Sequence, residues 1–325
     1  MIRTRGRRCA DSASPARLRV LLVLTLVTAS VGPAFAQAVR VPGTKVSLTP
    51  PAGFSPTQQY PGFELEAERA TIMVTELPGP AADMLRGMTK ATLAARGMIL
   101  VAGHDATIGG RPARLLNVRQ KSPAGDVLKW MLIAGNDVMT IMIVGTFPAG
   151  ISPSISDGIR DSLLTASWNS AAAPSAFEGL PFRVTPTSRL KLARRVSNML
   201  MFTESGTTGS PGSTEALYLI GHSIGKGQLG DLRTFSEARA AKTTLTKSVT
   251  NFAGRTLQVD GLEGYELEAD AIDVRSGAPM RLYQVIVPDD TGYFIMQGLS
   301  RLKGSDEMFQ EFRAITGSFR REAVR

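Results

Sequence analysis

The stretch "IGGRPARLLNV", Ile108 to Val118, opens on a glycine turn and runs into alternating residues. "VDGLEGYELEA", Val259 to Ala269, repeats that outline 151 positions later. Gly110 aligns with Gly261, and Leu116 and Val118 fall on Leu267 and Ala269. Further on, "KWMLIAGNDVMTIMIVG" (Lys129 to Gly145) matches "LYQVIVPDDTGYFIMQG" (Leu282 to Gly298), with Trp130 on Tyr283 and Asn136-Asp137 on Asp289-Asp290. Each segment predicts a hairpin, two β-rich runs joined at an Asn/Asp/Gly turn. The halves close alike, "LLTASW" (163–168) against "AITGSF" (314–319). The offset is 151 at the glycine turn, 153 across the second hairpin and 151 at the close. Two copies of one plan with two small indels explain that spacing, and two copies are too few for a solenoid.

The upstream segments are more worn but parallel. "KVSLTPPAGF" (45–54) has its counterpart in "FRVTPTSRL" (182–190), and "ATIMVTELP" (70–78) in "EALYLIGHS" (215–223). Helical spacing follows each. Met84, Met88 and Leu93 share a face between Pro80 and Gly97; Leu232, Phe235, Ala238 and Leu245 do so between Gly230 and Lys247. The small-residue run "NSAAAPSAFEG" (169–179) separates the copies. The expectation is an α+β protein of two tandem α/β/α-type sandwich domains, 41–168 and 179–320, joined by a 169–178 linker. Each carries a mainly antiparallel sheet with packed helices.

"LTPPAGFSPTQQYPGFELEAERATIMVTELPGPAADM" (Leu48 to Met84) resembles the opening of bacterial proteins in the Mog1/PsbP-like superfamily. Members carry a "PPxGF" start, a "GF" strand, a hairpin with an "ELP"-like exit and then a helix. The resemblance covers the first copy and reaches the second by internal homology. It implies docking or accessory domains, and its motifs are packing and turn signals, so only the fold transfers.

Arg3, Arg5, Arg7, Arg8, Arg17 and Arg19 precede a dozen apolar residues, "VLLVLTLVTASV", closed by Ala34-Phe35-Ala36. This predicts a signal peptide over residues 1–36, cleaved between Ala36 and Gln37, and a periplasmic product. The run is too short to span a bilayer core of about 30 Å, so no integral membrane segment is expected after cleavage. The full chain is +9; without the leader it is +4, and "RLKLARR" (189–195) is the only basic cluster. No aromatic side chains interleave with it, so nucleic acid is not an expected partner. Cys9 is the only cysteine and lies in the leader, which leaves the mature chain without disulfides, thiolate metal sites or a cysteine nucleophile.

Candidate chemistry is sparse. "GKGQLG" (225–230) fits G-x-G-x-x-G, but no acid occurs from Arg239 to Val259 to hold a ribose, so no cofactor is expected. "DTG" (290–292) has no second copy to form an aspartic dyad and suits a hairpin tip. His104 and His222, the only histidines, read as partly exposed structural residues, for want of further zinc ligands or a nucleophile elbow. Glu266, Glu268 and Asp270 alternate on one strand face. They suit ion pairs with Arg281 and its neighbours, with a hard cation such as Ca²⁺ as the sharper alternative. The polar loop from Thr203 to Ser213 reads as disordered.

These residues point to a non-enzymatic binding or accessory module with an unidentified protein or small-molecule partner in the envelope. One alternative is an enzyme whose site assembles at the inter-domain groove. Another is a structural protein tethered by a retained leader.

Overall fold

The hairpins anticipated above are present, and their geometry repeats. The computed structural model describes residues 37–121, 125–208, 215–225 and 229–322. The leader with Cys9 and Ala36 lies outside them, and Gln37 is the first described residue. In the first half, β1 (Val39–Arg40), β2 (Val46–Leu48), β3 (Ser55–Pro56), β4 (Gly62–Leu65) and β5 (Ala70–Pro78) precede helices α1 (Ala81–Gly87) and α2 (Lys90–Ala94). Then come β6 (Met98–Ile108), β7 (Arg111–Gln120), β8 (Val127–Gly135), β9 (Met139–Pro148), α3 (Pro153–Leu164) and β10 (Ser167–Trp168).

The second half runs β11 (Phe182–Arg183), β12 (Lys191–Val196), β13 (Met199–Thr203), β14 (Leu217–His222) and α4 (Leu232–Ala241). It continues with β15 (Thr246–Val259), β16 (Leu262–Asp273), β17 (Pro279–Asp289), β18 (Gly292–Arg301), α5 (Ser305–Gly317) and β19 (Arg320–Arg321). Two seven-stranded antiparallel sheets result, ordered β3-β4-β5-β9-β8-β7-β6 and β12-β13-β14-β18-β17-β16-β15. Place by place, the two orders correspond.

The opening pair of segments explains itself here. Ile108 pairs with Arg111 around Gly109 (φ 53°) and Gly110 (φ 76°), and Val259 pairs with Leu262 around Asp260 (φ 50°) and Gly261 (φ 78°). Positive φ at both central residues is the signature of the type I′ turn, whose twist matches that of the strands it joins. The register downstream agrees as well. Leu116 pairs with Met131 and Trp130 with Gly145; Leu267 pairs with Gln284 and Tyr283 with Gly298.

Period-2 alternation sorts each long strand into two faces. On β9, Ile141 and Ile143 join Ile159 and Leu163 of α3, while Met142 and Val144 join Leu93 of α2, Met84 and Leu85 of α1 and Met88 just beyond it. In the second half, Phe294 and Met296 pack under Phe309, Phe312 and Ile315 of α5. Leu299 belongs with Ala240 and Leu232 of α4. Helices therefore lie on both faces of each sheet, with α1 and α4 each reaching only part of their face. None of these apolar clusters draws residues from both halves.

Matching devices close each copy. The Thr165 hydroxyl at the C-cap of α3 accepts from the Thr49 amide (2.8 Å), and the Ser318 hydroxyl at the C-cap of α5 accepts from the Thr185 amide (2.8 Å).

Two helix expectations are corrected. The single helix over 80–97 is two. Met88 leaves helical geometry (φ −92°, ψ 50°), and Thr89 caps α2 by accepting from the Thr92 amide, 3.2 Å away. Gly87 weakens the turn before the break, and the threonine offers the backbone a competing partner. The second helix stops at Ala241, so Leu245 lies on the approach to β15.

The halves meet across a polar seam. Asn198 donates to the carbonyls of Gln59 and His222 (both 2.6 Å), and Gln59 donates to the Thr291 carbonyl (2.9 Å). Arg195 donates to the carbonyls of Ala176 (3.3 Å) and Glu178, and Glu178 also pairs with Arg40. Burial pulls the Arg195 guanidinium down to about 10, against the opposing pull of Glu178 and Glu76.

Candidate functional site

On β13, β14 and β18, one set of alternate residues enters the core beneath α5: Leu200, Phe202, Tyr218, Ile220, Phe294 and Met296. The other set is mainly apolar, with Met199, Met201, Leu217, Leu219, Ile295 and Leu299 facing the opposite side together with Thr203 and Gln297. Apolar residues on both faces normally mark a strand covered on both sides. Here α4 packs mainly on β15, β16 and β17, so among the described residues no helix lies over β13 and β14 on this side. In the first half α1 lies over β8 and β9, the counterparts of β17 and β18.

The open surface forms two adjoining cavities of about 300 and 490 Å³ that share Leu217, Leu245 and Leu299. Together they make one groove within the size range of small-molecule sites. One wall is the C-terminal end of α4 with Arg239 and Lys242; another is the 273–278 turn with Arg275. Arg194 and Arg301 complete a rim of five cations against two acids, Glu215 and Asp273. Asp273 is occupied, accepting from the Arg275 and Ser276 amides (2.9 and 2.6 Å) and the Ser276 hydroxyl (2.8 Å). Those bonds hold its carboxyl below the usual range. Glu215 accepts from the Ser205 amide at 2.9 Å.

A register shift between Leu192 and Arg194 sets Arg194 opposite Met201, at the groove, and Arg195 opposite Leu200. Such a bulge re-aims side chains. The basic cluster "RLKLARR" is thereby divided between groove and seam.

The residues singled out in the sequence fall elsewhere. His104 is exposed on β6, an edge strand of the first half. His222, expected to be partly exposed, has a side chain only 1% exposed. Its Nδ1 lies 2.7 Å from the Ser223 carbonyl, and its Nε2 lies 3.1 Å from both oxygens of Asp289 and 3.3 Å from the Thr291 hydroxyl. A relay triad needs acid and nucleophile on opposite ring nitrogens. Here both share Nε2 while Nδ1 is committed to a carbonyl, so the cluster latches the seam. Burial pushes Asp289 up, but the bonds from His222 and from Thr291 outweigh it and hold its carboxyl below the usual range. "DTG" forms the hairpin tip, with the Thr291 amide donating to Asp289 at 2.9 Å.

Glu266, Glu268 and Asp270 lie on β16 among arginines. Glu266 meets Arg255 (3.2 Å) and Arg313 (3.1 Å), and Glu268 meets Arg281 (3.0 Å) and Arg313. Asp270 accepts from Asn251 (2.7 Å), with Arg281 Nε 3.3 Å away but out of hydrogen-bond alignment. Three guanidinium groups occupy the place a cation would take. No group of metal-ligating side chains is found among the described residues.

Of "GKGQLG", residues 226–228 lie outside the described residues, as do 209–213 of the polar loop. The strands flanking α4 belong to an antiparallel sheet, and Asp231 caps the helix, its carboxylate accepting from the Thr234 amide at 2.8 Å. A dinucleotide site needs a parallel βαβ unit. No helix among the described residues is long and apolar enough to cross a membrane.

No family model and no curated protein matches the chain. Among solved structures, a Pseudomonas aeruginosa protein of unknown function is similar over 37% of this chain and 80% of its own, at 14% identity and a TM-score of 0.28. The immunity protein TplEi of the type VI secretion system of Pseudomonas aeruginosa, in complex with an "L" peptide, is similar over 88% of this chain and 97% of its own. Its identity is 9% and its TM-score 0.29. Likenesses this distant carry no functional argument.

Proposed function

We propose that this protein is an exported, periplasmic, non-enzymatic binding module built from two tandem Mog1/PsbP-like domains. It works through the groove over β13, β14 and β18, and not through the cleft between the copies. The supporting observation is a group of strands mainly apolar on both faces, one of which has no helix over β13 and β14 among the described residues and is ringed by cations. Ile295 and Leu299 are buried at the groove's floor, Met199, Met201, Leu217 and Leu219 are half-buried around them, and a concave, mainly apolar lining with a few polar groups is the usual make-up of a small-molecule site. The first copy, with α1 over β8 and β9, supplies a scaffold and the seam. The His222–Asp289 pair is assigned to that seam, since both ring nitrogens already face protein partners, Ser223 on one side and Asp289 with Thr291 on the other.

The test is a solvatochromic anilinonaphthalene dye titrated into the mature chain. One saturable site is expected, weakened by Leu219→Asn and untouched by Val138→Asn at an exposed hairpin tip of the first half. Equal effects of the two substitutions would overturn the groove assignment. Mass spectrometry of the native N-terminus tests export: a chain beginning at Gln37 is expected, and a retained leader would favour a tethered structural protein.

A further inference from the structure

We infer that the groove accepts a free, single-chain anionic amphiphile, with its alkyl chain along β14 and β18 and its acidic head among the rim arginines; this rests on the groove assignment above. The floor is mainly apolar along Leu217, Leu219, Ile295 and Leu299, and its Gln297 amide is already engaged with Thr243 (2.9 Å) and Gln284 (3.0 Å), which suits an unbranched chain more than a peptide with backbone groups to satisfy. The rim supplies the sign. Arg194, Arg239, Lys242 and Arg275 make no ion pair among the described residues, and the two acids at the rim are already hydrogen-bonded. Arg194 Nε is in addition buried without a partner. Guanidinium groups present paired donors that match a carboxylate or phosphate. A cationic head would meet five like charges against two carboxylates, a net repulsion, and gain nothing from the floor that an anion does not also gain. The groove is concave, held between the end of α4 and the 273–278 turn, and so admits one chain at a time where a bilayer surface would need a protruding face.

Calorimetric titration of the full mature chain, below micelle-forming concentrations, tests this with sodium dodecanoate, dodecyl phosphate, dodecyltrimethylammonium and phosphatidylglycerol vesicles. Both anions are expected to bind one to one, and the cation at least ten-fold more weakly. Each methylene removed should weaken binding about four-fold, so decanoate should fall about ten-fold or more below dodecanoate. Arg194→Gln combined with Arg275→Gln should reduce dodecanoate affinity at least ten-fold and narrow its advantage over the cation, while Leu219→Asn weakens every amphiphile. If anion and cation bind alike, or the double arginine variant leaves the preference intact, the anionic reading fails while the groove stands. If no amphiphile binds, or Leu219→Asn changes nothing, both fail. Capture by anionic vesicles without binding of monomeric dodecanoate would replace the free ligand with a membrane surface.

Discussion

Replacing Gly298 by alanine isolates the packing of one copy. Gly298 lies on β18 directly beneath α5, and an added Cβ would sit 2.4 Å from two ring carbons of Phe312. Ordinary carbon–carbon contact is about 3.5–4.0 Å, so the ring or the helix has to move by more than about 1 Å. The ring has nowhere to go. Phe312 is fully buried, stacked on Tyr218 at 5.2 Å and held 5.8 Å from both Tyr283 and Phe309. Overpacking of this kind costs about 1–3 kcal/mol, which lowers a melting midpoint by roughly 3–10 °C in a domain of this size. The assay is urea unfolding followed by tyrosine fluorescence, comparing Gly298→Ala, Phe312→Leu and the double variant. The double should be more stable than the sum of the singles by at least about 1 kcal/mol, because the leucine vacates the space the methyl needs. Additive behaviour, or an unchanged midpoint for Gly298→Ala, would refute the packing described. The first copy uses the same device: a Cβ on Gly145 would meet Ile159 of α3 at 2.2 Å, so Gly145→Ala should destabilise by a similar amount.

Further expectations follow from the charged groups and the turns. Asp289 is held below the usual carboxylate range in the folded state, so its contribution to stability is present above that range and is lost as pH falls through its folded value. Asp289→Asn should therefore flatten the difference in unfolding midpoint between pH 6 and pH 3; a wild-type slope in the variant would remove the latch. Glu266→Gln should cost about 2–3 kcal/mol in chemical denaturation, because Arg313 and Arg255 lose a nearly buried partner. Added calcium should leave the wild-type midpoint unmoved, and a rise would restore a cation site on β16. Gly261→Val, at φ 78° in the type I′ turn, should cost roughly 1–2 kcal/mol by the same denaturation measurement, and a neutral result would mean the turn relaxes freely.

The repeated plan was legible because turns and alternation are local. Gly110 and Gly261 announce positive φ, and the hairpins after them keep their spacing to within two residues. The helix break at Met88 was less visible, since Met84, Met88 and Leu93 do share one buried face while a threonine cap interrupts the backbone between them. The groove was not legible. "EALYLIGHS" reads as a strand apolar on both faces, and whether a helix covers its second face depends on where α4 lands in three dimensions. That placement has no local signal. Asp289 was likewise read as part of a turn, because its approach to His222 joins residues 67 positions apart.

Hydrogen–deuterium exchange of residues 37–325 with and without dodecanoate tests the whole account at once. Two independently protected β-layers are expected, with ligand-induced slowing restricted to β13, β14, β18 and the end of α4, and no change at β4, β5 or β9. Equal slowing in both halves, or slowing centred on Gln59, Asn198 and Thr291, would contradict it.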